Sequence, residues 1–280
     1  TPNGLKQSEF TDPNKIKENW DDLLGRIKNQ FNGERQDKLL ELYNYFGDRM
    51  MFAPASSREH YHNCFVGGYV DHVLRVMDIS FELYNSWASA GAYQENYTLE
   101  ELMFAALNHD LGKVGDLEND TYIPNPSEWH RKNQGALYTV NPKTEFSLIP
   151  DRSLFLLQHF GVKYTWNEFL GIRIHDGMYE EANKPYLVSF NPDSRLKSNL
   201  PLILHQADMI ASRVEYERWK HGENSWHEAR TLTNVSKEKM QDNVYKKPPI
   251  KASKPKLKTN PASQLNTGSD ASKLFDELFG

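Results

Sequence analysis

From Ile16 to Phe46 apolar residues recur every three or four positions: Trp20, Leu23, Leu24, Ile27 and Phe31, then Leu39, Leu40, Leu42 and Tyr43. That period puts them on one stripe of a helix, and Gly33 divides the run into two helices. The polar residues 1–15, with Pro2, Gly4 and Pro13, read as a loose arm ahead of them. Val70, Val73, Leu74, Met77, Phe81 and Tyr84 set another amphipathic helix, running to about Trp87. Thr98 and Glu101 are spaced as a capping box and open a helix whose apolar run, Leu102 to Leu107, ends at Asn108-His109-Asp110-Leu111-Gly112-Lys113. Helices are also predicted over Ser153–Phe160 and Trp166–Ile174, the latter running into His175-Asp176-Gly177. Leu200 to Trp219 forms the last, with Leu202, Ile203, Leu204, Ala207, Ile210 and Val214 on one apolar side. Alternating β-branched runs are nearly absent, so the predicted fold class is all-α, a helical bundle with long irregular loops.

Two long stretches lack a period, Gly115–Pro150 and Met178–Asn199. Irregular segments of that length inside a domain are more often functional than accidental, and the first reads as a lid over the His109-Asp110 end. Tyr122, Trp129, Tyr138, Tyr179 and Tyr186 in these stretches are candidates to stack a base, although aromatic loop residues more often simply pack. After Lys237 the chain turns Lys/Pro/Ser/Asn-rich and reads as a flexible linker. The expected organisation is a helical extension over 1–49, a main domain over 50–236, a linker over 237–271 and a short amphipathic tail over 272–280.

The 280 residues are 38% hydrophobic and 25% charged with net charge −5, an ordinary globular composition that lends no support to nonspecific nucleic-acid binding. The single cysteine, Cys64, excludes an intramolecular disulfide and a cysteine-rich zinc site, and fits a reducing compartment. No apolar run approaches twenty residues, and no basic-then-apolar start is present. The expectation is a cytoplasmic protein without a membrane partner.

Candidate chemistry centres on His109 and Asp110. Neighbouring residues on a helix point about 100° apart, so they share a partner only when something sits between them, and a divalent cation is the simplest such partner. Gly112 lets the backbone turn away, and Lys113 adds a positive charge. His72 stands near the start of its helix, just after Gly67-Gly68. Asp208 lies beside Ala207 and Ile210, where an unpaired carboxylate would be costly and a metal would partner it. Two imidazoles and two carboxylates suit Mn, Fe, Ni, Co, Zn or Mg, with positions left for water and a phosphate oxygen.

That ordered set, His72, then His109-Asp110 in "NHDLGK", then Asp208 in "LHQADMIASRVE", resembles the HD-domain metal-dependent phosphohydrolases over roughly residues 50–220. "HYHNCFVGGYVDHVLRV" and "IRIHDG" are most similar to the branch that includes HD-type 3′–5′ exoribonucleases. The resemblance implies a metal held by His72, His109, Asp110 and Asp208. It also implies hydrolysis of a phosphoester or phosphoanhydride bond of a nucleotide, such as a deoxynucleoside mono- or triphosphate, by a metal-activated water. Lys113, Arg58 and His62 are the candidates to stabilise charge on the phosphate. His175 is a candidate general acid or phosphate ligand. One metal is expected, because Ile149-Pro150-Asp151 stands near where two-metal members often carry a further histidine; His159 and His175 are the remaining candidates for a second ion. The exoribonucleases' nucleic-acid-binding barrel has no counterpart here, so a 3′–5′ or single-strand nuclease is the alternative.

In "SKLFDELFG", Leu274, Phe275, Leu278 and Phe279 form one apolar stripe. It is similar to the C-terminal sliding-clamp-binding tails of T-even-type phage replication proteins. That likeness implies a clamp or another replication protein as partner, and the host cytoplasm as location if the chain is phage-encoded. It leaves a further alternative, a replication-complex adaptor that keeps the HD scaffold.

Overall fold

Asp12 starts the first helix: its carboxylate accepts from the backbone N–H of Asn14 and Lys15 at 2.9 and 3.3 Å, and Pro13 takes the first helical position. Helix α1 therefore runs Pro13–Gln30, beginning inside the segment expected to be a loose arm. The computed structural model describes residues 12–222 and 226–227. The chain divides into two units, Thr1–Tyr245 and Lys246–Gly280, and all described residues belong to the first. The whole of the predicted linker, 237–271, and the tail stripe Leu274, Phe275, Leu278 and Phe279 lie outside the described residues, so the fold concerns the helical body alone.

Helices α2 (Gly33–Tyr45) and α3 (Gly47–Phe52) follow, with the break at Gly33 as predicted. Helix α4 (Gly68–Ser89) is the centre of the fold: every residue from Gly68 to Asp78 is buried, because α1, α3, α5 and α10 pack around it. Its start needs both glycines. Gly67 has φ 89°, and a side chain on Gly68 would run into the Asn63 carbonyl. Helix α5 (Leu99–Asn108) opens on the predicted Thr98/Glu101 capping box, and a 3-10 turn, Leu111–Val114, follows it.

The stretch expected to be irregular holds a small hairpin. Strand β1 (Tyr122–Pro124) pairs antiparallel with β2 (Tyr138–Val140), Ile123 facing Thr139, with α6 (Glu128–Gln134) between them. Three-residue strands carry too few positions for an alternating signal to show. Helices α7 (Ile149–His159) and α8 (Trp166–Ile174) come next, then the one-turn α9 (Lys184–Leu187), and finally α10 (Leu200–His221), closed by Gly222 in the left-handed region. The described chain is thus all-α apart from one two-stranded sheet. Leu23, Ile27, Phe31 and Leu39 of α1 and α2 share one core with Leu74, Leu107, Ile172 and Leu204. Among the described residues no helix is long and apolar enough to cross a membrane.

Gly112 proves to matter for close approach rather than for turning. Its φ is ordinary, but an added Cβ would collide with the Ile149 carbonyl and press on Arg152 Cβ at the start of α7. Its N–H donates to Ser153 Oγ at 2.8 Å, and its carbonyl accepts from Arg152 and Thr121 at 3.1 and 3.2 Å. Gly112→Ala should push α7 off the turn that carries Asp110, costing about 1–3 kcal/mol of stability, as overpacking does. Urea unfolding checks it, and an unchanged midpoint would show that the contact yields freely.

Candidate metal centre

Four helical elements bring the site together. His72 comes from the buried first turns of α4, His109 and Asp110 from the end of α5, His175 from the residue after α8, and Asp208 from the third turn of α10. His72 Nε2 lies 3.1 Å from Asp208 Oδ1 and 3.5 Å from Asp110 Oδ2. His109 Nε2 lies 3.4 Å from Asp110 Oδ2 and 4.0 Å from Asp208 Oδ1. Ligands about 2.1 Å from one ion are themselves about 3.0–3.5 Å apart when adjacent and about 4.2 Å apart when opposite, so the three shorter separations suit neighbouring ligands of a single first-row cation and the fourth is nearer that of an opposite pair.

The rings are already aimed. Nδ1 of His109 faces the carbonyl of Ala106 at 2.8 Å, and Nδ1 of His175 faces that of Ile172 at 2.8 Å, so each donates its Nδ1 proton to a helix-end carbonyl. His72 Nδ1 instead meets both oxygens of Glu215 at 3.1 Å. All three rings thereby turn Nε2 inward, the arrangement that outer hydrogen bonds impose on metal-ligating histidines. Nε2 of His72 and of His109 are buried and make no hydrogen bond. A cation would satisfy both atoms. Two overlapping groups could hold a metal ion: His72, His109 and Asp208, and His109, Asp110 and His175. A third, His62, His72 and Glu215, is a poorer fit, because Glu215 and His72 Nδ1 already bond each other and the Lys113 ammonium stands 3.4 Å from His62.

Glu215 is a site residue that the sequence analysis missed. It is fully buried, bonds His72, and accepts from Arg75 Nε at 3.0 Å. A signal for it exists: it follows Asp208 by seven residues, two helical turns along the same face, and continues the buried line Leu204–Ala211. Glu215→Gln keeps the shape but removes the charge behind His72, and should weaken divalent-ion binding by about 10–100-fold in calorimetry.

Charge is tightly organised. Burial alone would lower the His72 pKa, but Glu215 and Asp208 outweigh it and raise it to about 10. His175 is likewise raised to about 9 against burial, by Asp110 and Asp176. Burial opposes ionisation of Asp110, yet Lys113 and His109 hold it well below the usual carboxylate range. Asp208 is depressed against burial too, by His72 and His109. In the metal-free protein His72 and His175 therefore carry protons at neutral pH, and a cation competes with them. Divalent-ion affinity should climb from pH 6 to 8 and level off only as pH passes the range of about 9 to 10, with proton uptake by the buffer measured calorimetrically.

Lys113 and His62 both line the cleft over this cluster, an opening of about 850 Å³ that also borders Asp110 and Asp208. Lys113 Nζ donates to Asp110 Oδ2 at 2.6 Å. His62, the other candidate to stabilise charge on the phosphate, stands beside that ammonium. Burial first, then the Lys113 and His72 charges, push its pKa down to about 3, so it is a neutral ring that steadies Lys113. Arg58 is not in this cleft; its guanidinium sits 5.9 Å from the centre of the Tyr61 ring and lines a neighbouring opening. His175 is buried against Asp110, 3.6 Å from Oδ1, which places it in the group that could hold a metal ion rather than at the cleft mouth where a general acid would meet a leaving group. His159 is exposed beside Phe155 and Phe160 and joins none of these groups. Of the candidate stacking residues, Tyr179 lines the cleft and is 90% exposed. Tyr122 and Tyr138 line a different cavity, while Trp129 and Tyr186 stand exposed on α6 and α9.

The fold and the site together define a helical protein with a buried His/Asp cluster that could hold a metal ion. No protein-family model, curated protein or solved structure matches the chain.

Proposed function

We propose that this chain is an HD-type metal-dependent phosphohydrolase that cleaves a phosphoester or phosphoanhydride bond of a nucleotide, free or within a nucleic-acid strand. The observation that carries the reading is the inward aim of Nε2 on His72, His109 and His175, each with Nδ1 already engaged, around the buried carboxylate of Asp110 and the half-buried one of Asp208. His72, His109, Asp110 and Asp208 would hold one divalent ion, Mn, Fe, Ni, Co, Zn or Mg, with His175 beside them. When bound, such an ion supplies Lewis acidity toward a phosphate oxygen and an acidified water.

The chain's own groups do the rest. Glu215 fixes the His72 ring, and the two helix-end carbonyls fix the others. Lys113, held at the cleft by Asp110 and steadied by His62, offers its ammonium to the phosphate oxygens as their charge grows. The same reading assigns the stripe Leu274, Phe275, Leu278 and Phe279 to a partner's groove, such as a sliding clamp. Deleting residues 272–280 should abolish capture by an immobilised clamp, and unchanged capture removes that partner.

The test of the enzymatic reading is hydrolysis by metal-stripped full-length protein with Mn, Mg, Ni, Co or Zn returned singly. Substrates are (deoxy)nucleoside mono-, di- and triphosphates and labelled single-stranded DNA and RNA. Metal-dependent turnover of any of them is the expected result. Silence across the panel with metal bound would sink it and favour an adaptor that keeps the scaffold.

A further inference from the structure

Two openings flank the loop from Arg58 to His62. One is the cleft over the metal cluster; the other, about 540 Å³, is lined by Arg58, Glu59, His60, Asn133, Gln134 and Trp219, with Gly135. They meet at His60, and α10 runs beneath both: Asp208, Ser212 and Tyr216 border the first, Trp219 the second. Positions 208, 212, 216 and 219 of a helix fall within about 80° of one another, so one face of α10 makes a floor about 16 Å long.

Aromatic rings lie on that floor and on the loop facing it, with a guanidinium group beside each set. The Tyr216 and Trp219 rings are 5.9 Å apart, and on the facing loop His60 and Tyr61 are 4.9 Å apart. Arg213 lies 5.3 Å from the Tyr216 ring centre and also pairs with Glu217 at 2.9 Å; Arg58 lies 5.9 Å from that of Tyr61. Aromatic faces take stacked bases whatever their identity, while cations beside them follow the phosphates. A mononucleotide would fill only the first opening and leave the second without use.

We propose that the α10 face from Asp208 to Trp219, with the loop 58–62, is a track for single-stranded nucleic acid that lays a phosphodiester at the metal cluster. The proposal rests on the phosphohydrolase reading and names a polynucleotide strand as its substrate. It gives Arg58 a contact with the flanking strand rather than with the reacting phosphate. Because net charge is −5, stacking rather than bulk electrostatics holds the strand.

The test is fluorescence anisotropy of labelled single-stranded DNA and RNA oligonucleotides with metal-stripped full-length protein, alongside the same DNA as a duplex. Tyr216→Ala and Trp219→Ala should each weaken single-strand binding by about tenfold, and Arg58→Gln, on the surface loop, by about threefold. Trp166→Ala, whose ring stacks on Phe169 in α8, should bind as the unaltered protein does. Should Trp219→Ala fail to fold by circular dichroism, Tyr216→Ala and Arg58→Gln decide. Affinities unchanged in the folded variants, or duplex bound as tightly as single strand, overturn the track. Strand binding without hydrolysis under any metal upholds the track and defeats the phosphohydrolase reading. Turnover of mononucleotides without strand binding does the reverse.

Discussion

Asp110→Asn is expected to lose divalent-ion affinity by more than about 100-fold, beyond what removing an outer hydrogen bond does, and to lose metal-dependent hydrolysis with it. The side chain keeps its volume, so the change reads charge and hydrogen bonding without leaving a cavity. Asp110 is the hub of the cluster: its two oxygens face His72, His109, His175 and Lys113 at 3.5, 3.4, 3.6 and 2.6 Å. An amide in its place offers one weaker acceptor and points a donor at the Lys113 ammonium or at a histidine ring. Titration of Mn²⁺ by calorimetry, with turnover in parallel, gives the result. Affinity within about tenfold of the unaltered protein would show that the ion sits elsewhere.

Arg26→Ala carries the largest expected loss of stability, about 3–5 kcal/mol, the range found when one partner of a buried ion pair is removed. Arg26 is 1% exposed and lies between two acids, with its guanidinium 2.7 Å from Asp78 Oδ1 and 3.0 Å from Asp22 Oδ2. Asp78 also meets His227, whose Nε2 lies 2.7 Å from Oδ2. Burial opposes the Asp78 charge, but His227 and Arg26 more than offset that and depress its pKa. A depressed carboxylate contributes stability that is present above its ordinary pKa and lost as pH falls through the lowered one. The Arg26→Ala protein should therefore be weakened most at neutral pH and differ less from the unaltered protein in acid. Urea unfolding at pH 7 and near pH 3 separates the two. A loss under about 1 kcal/mol at pH 7 would mean the acids find other partners.

The helices were legible because their signals are local. Thr98 and Glu101 form the capping box their spacing predicts, and α8 spans the predicted residues, Trp166 to Ile174. His72, His109, Asp110 and Asp208 do converge, and the sequence could indicate them because each sits at a helix end or on a buried helix face. What stayed hidden depends on tertiary contact. Glu215 reads as one acid among many until α4 lies against α10, and Arg26 reads as a surface residue until Asp78 faces it from α4. Arg58 was a phosphate candidate by resemblance alone, and its place depends on a distant contact, the Glu59 N–H donating to the Gly135 carbonyl at 2.8 Å. The hairpin was missed because its register links Tyr122 with Val140, across α6.

The Nδ1 bonds of His109 and His175 run to carbonyls three residues back, at the last turns of their own helices. Each ring is thus oriented by the helix that carries it. Rotamer freedom of these side chains is lost when the chain folds, not when an ion arrives, so little ordering entropy opposes ion capture. The pocket is set in advance, and one divalent ion bound there could give way to another without rebuilding of the protein around it.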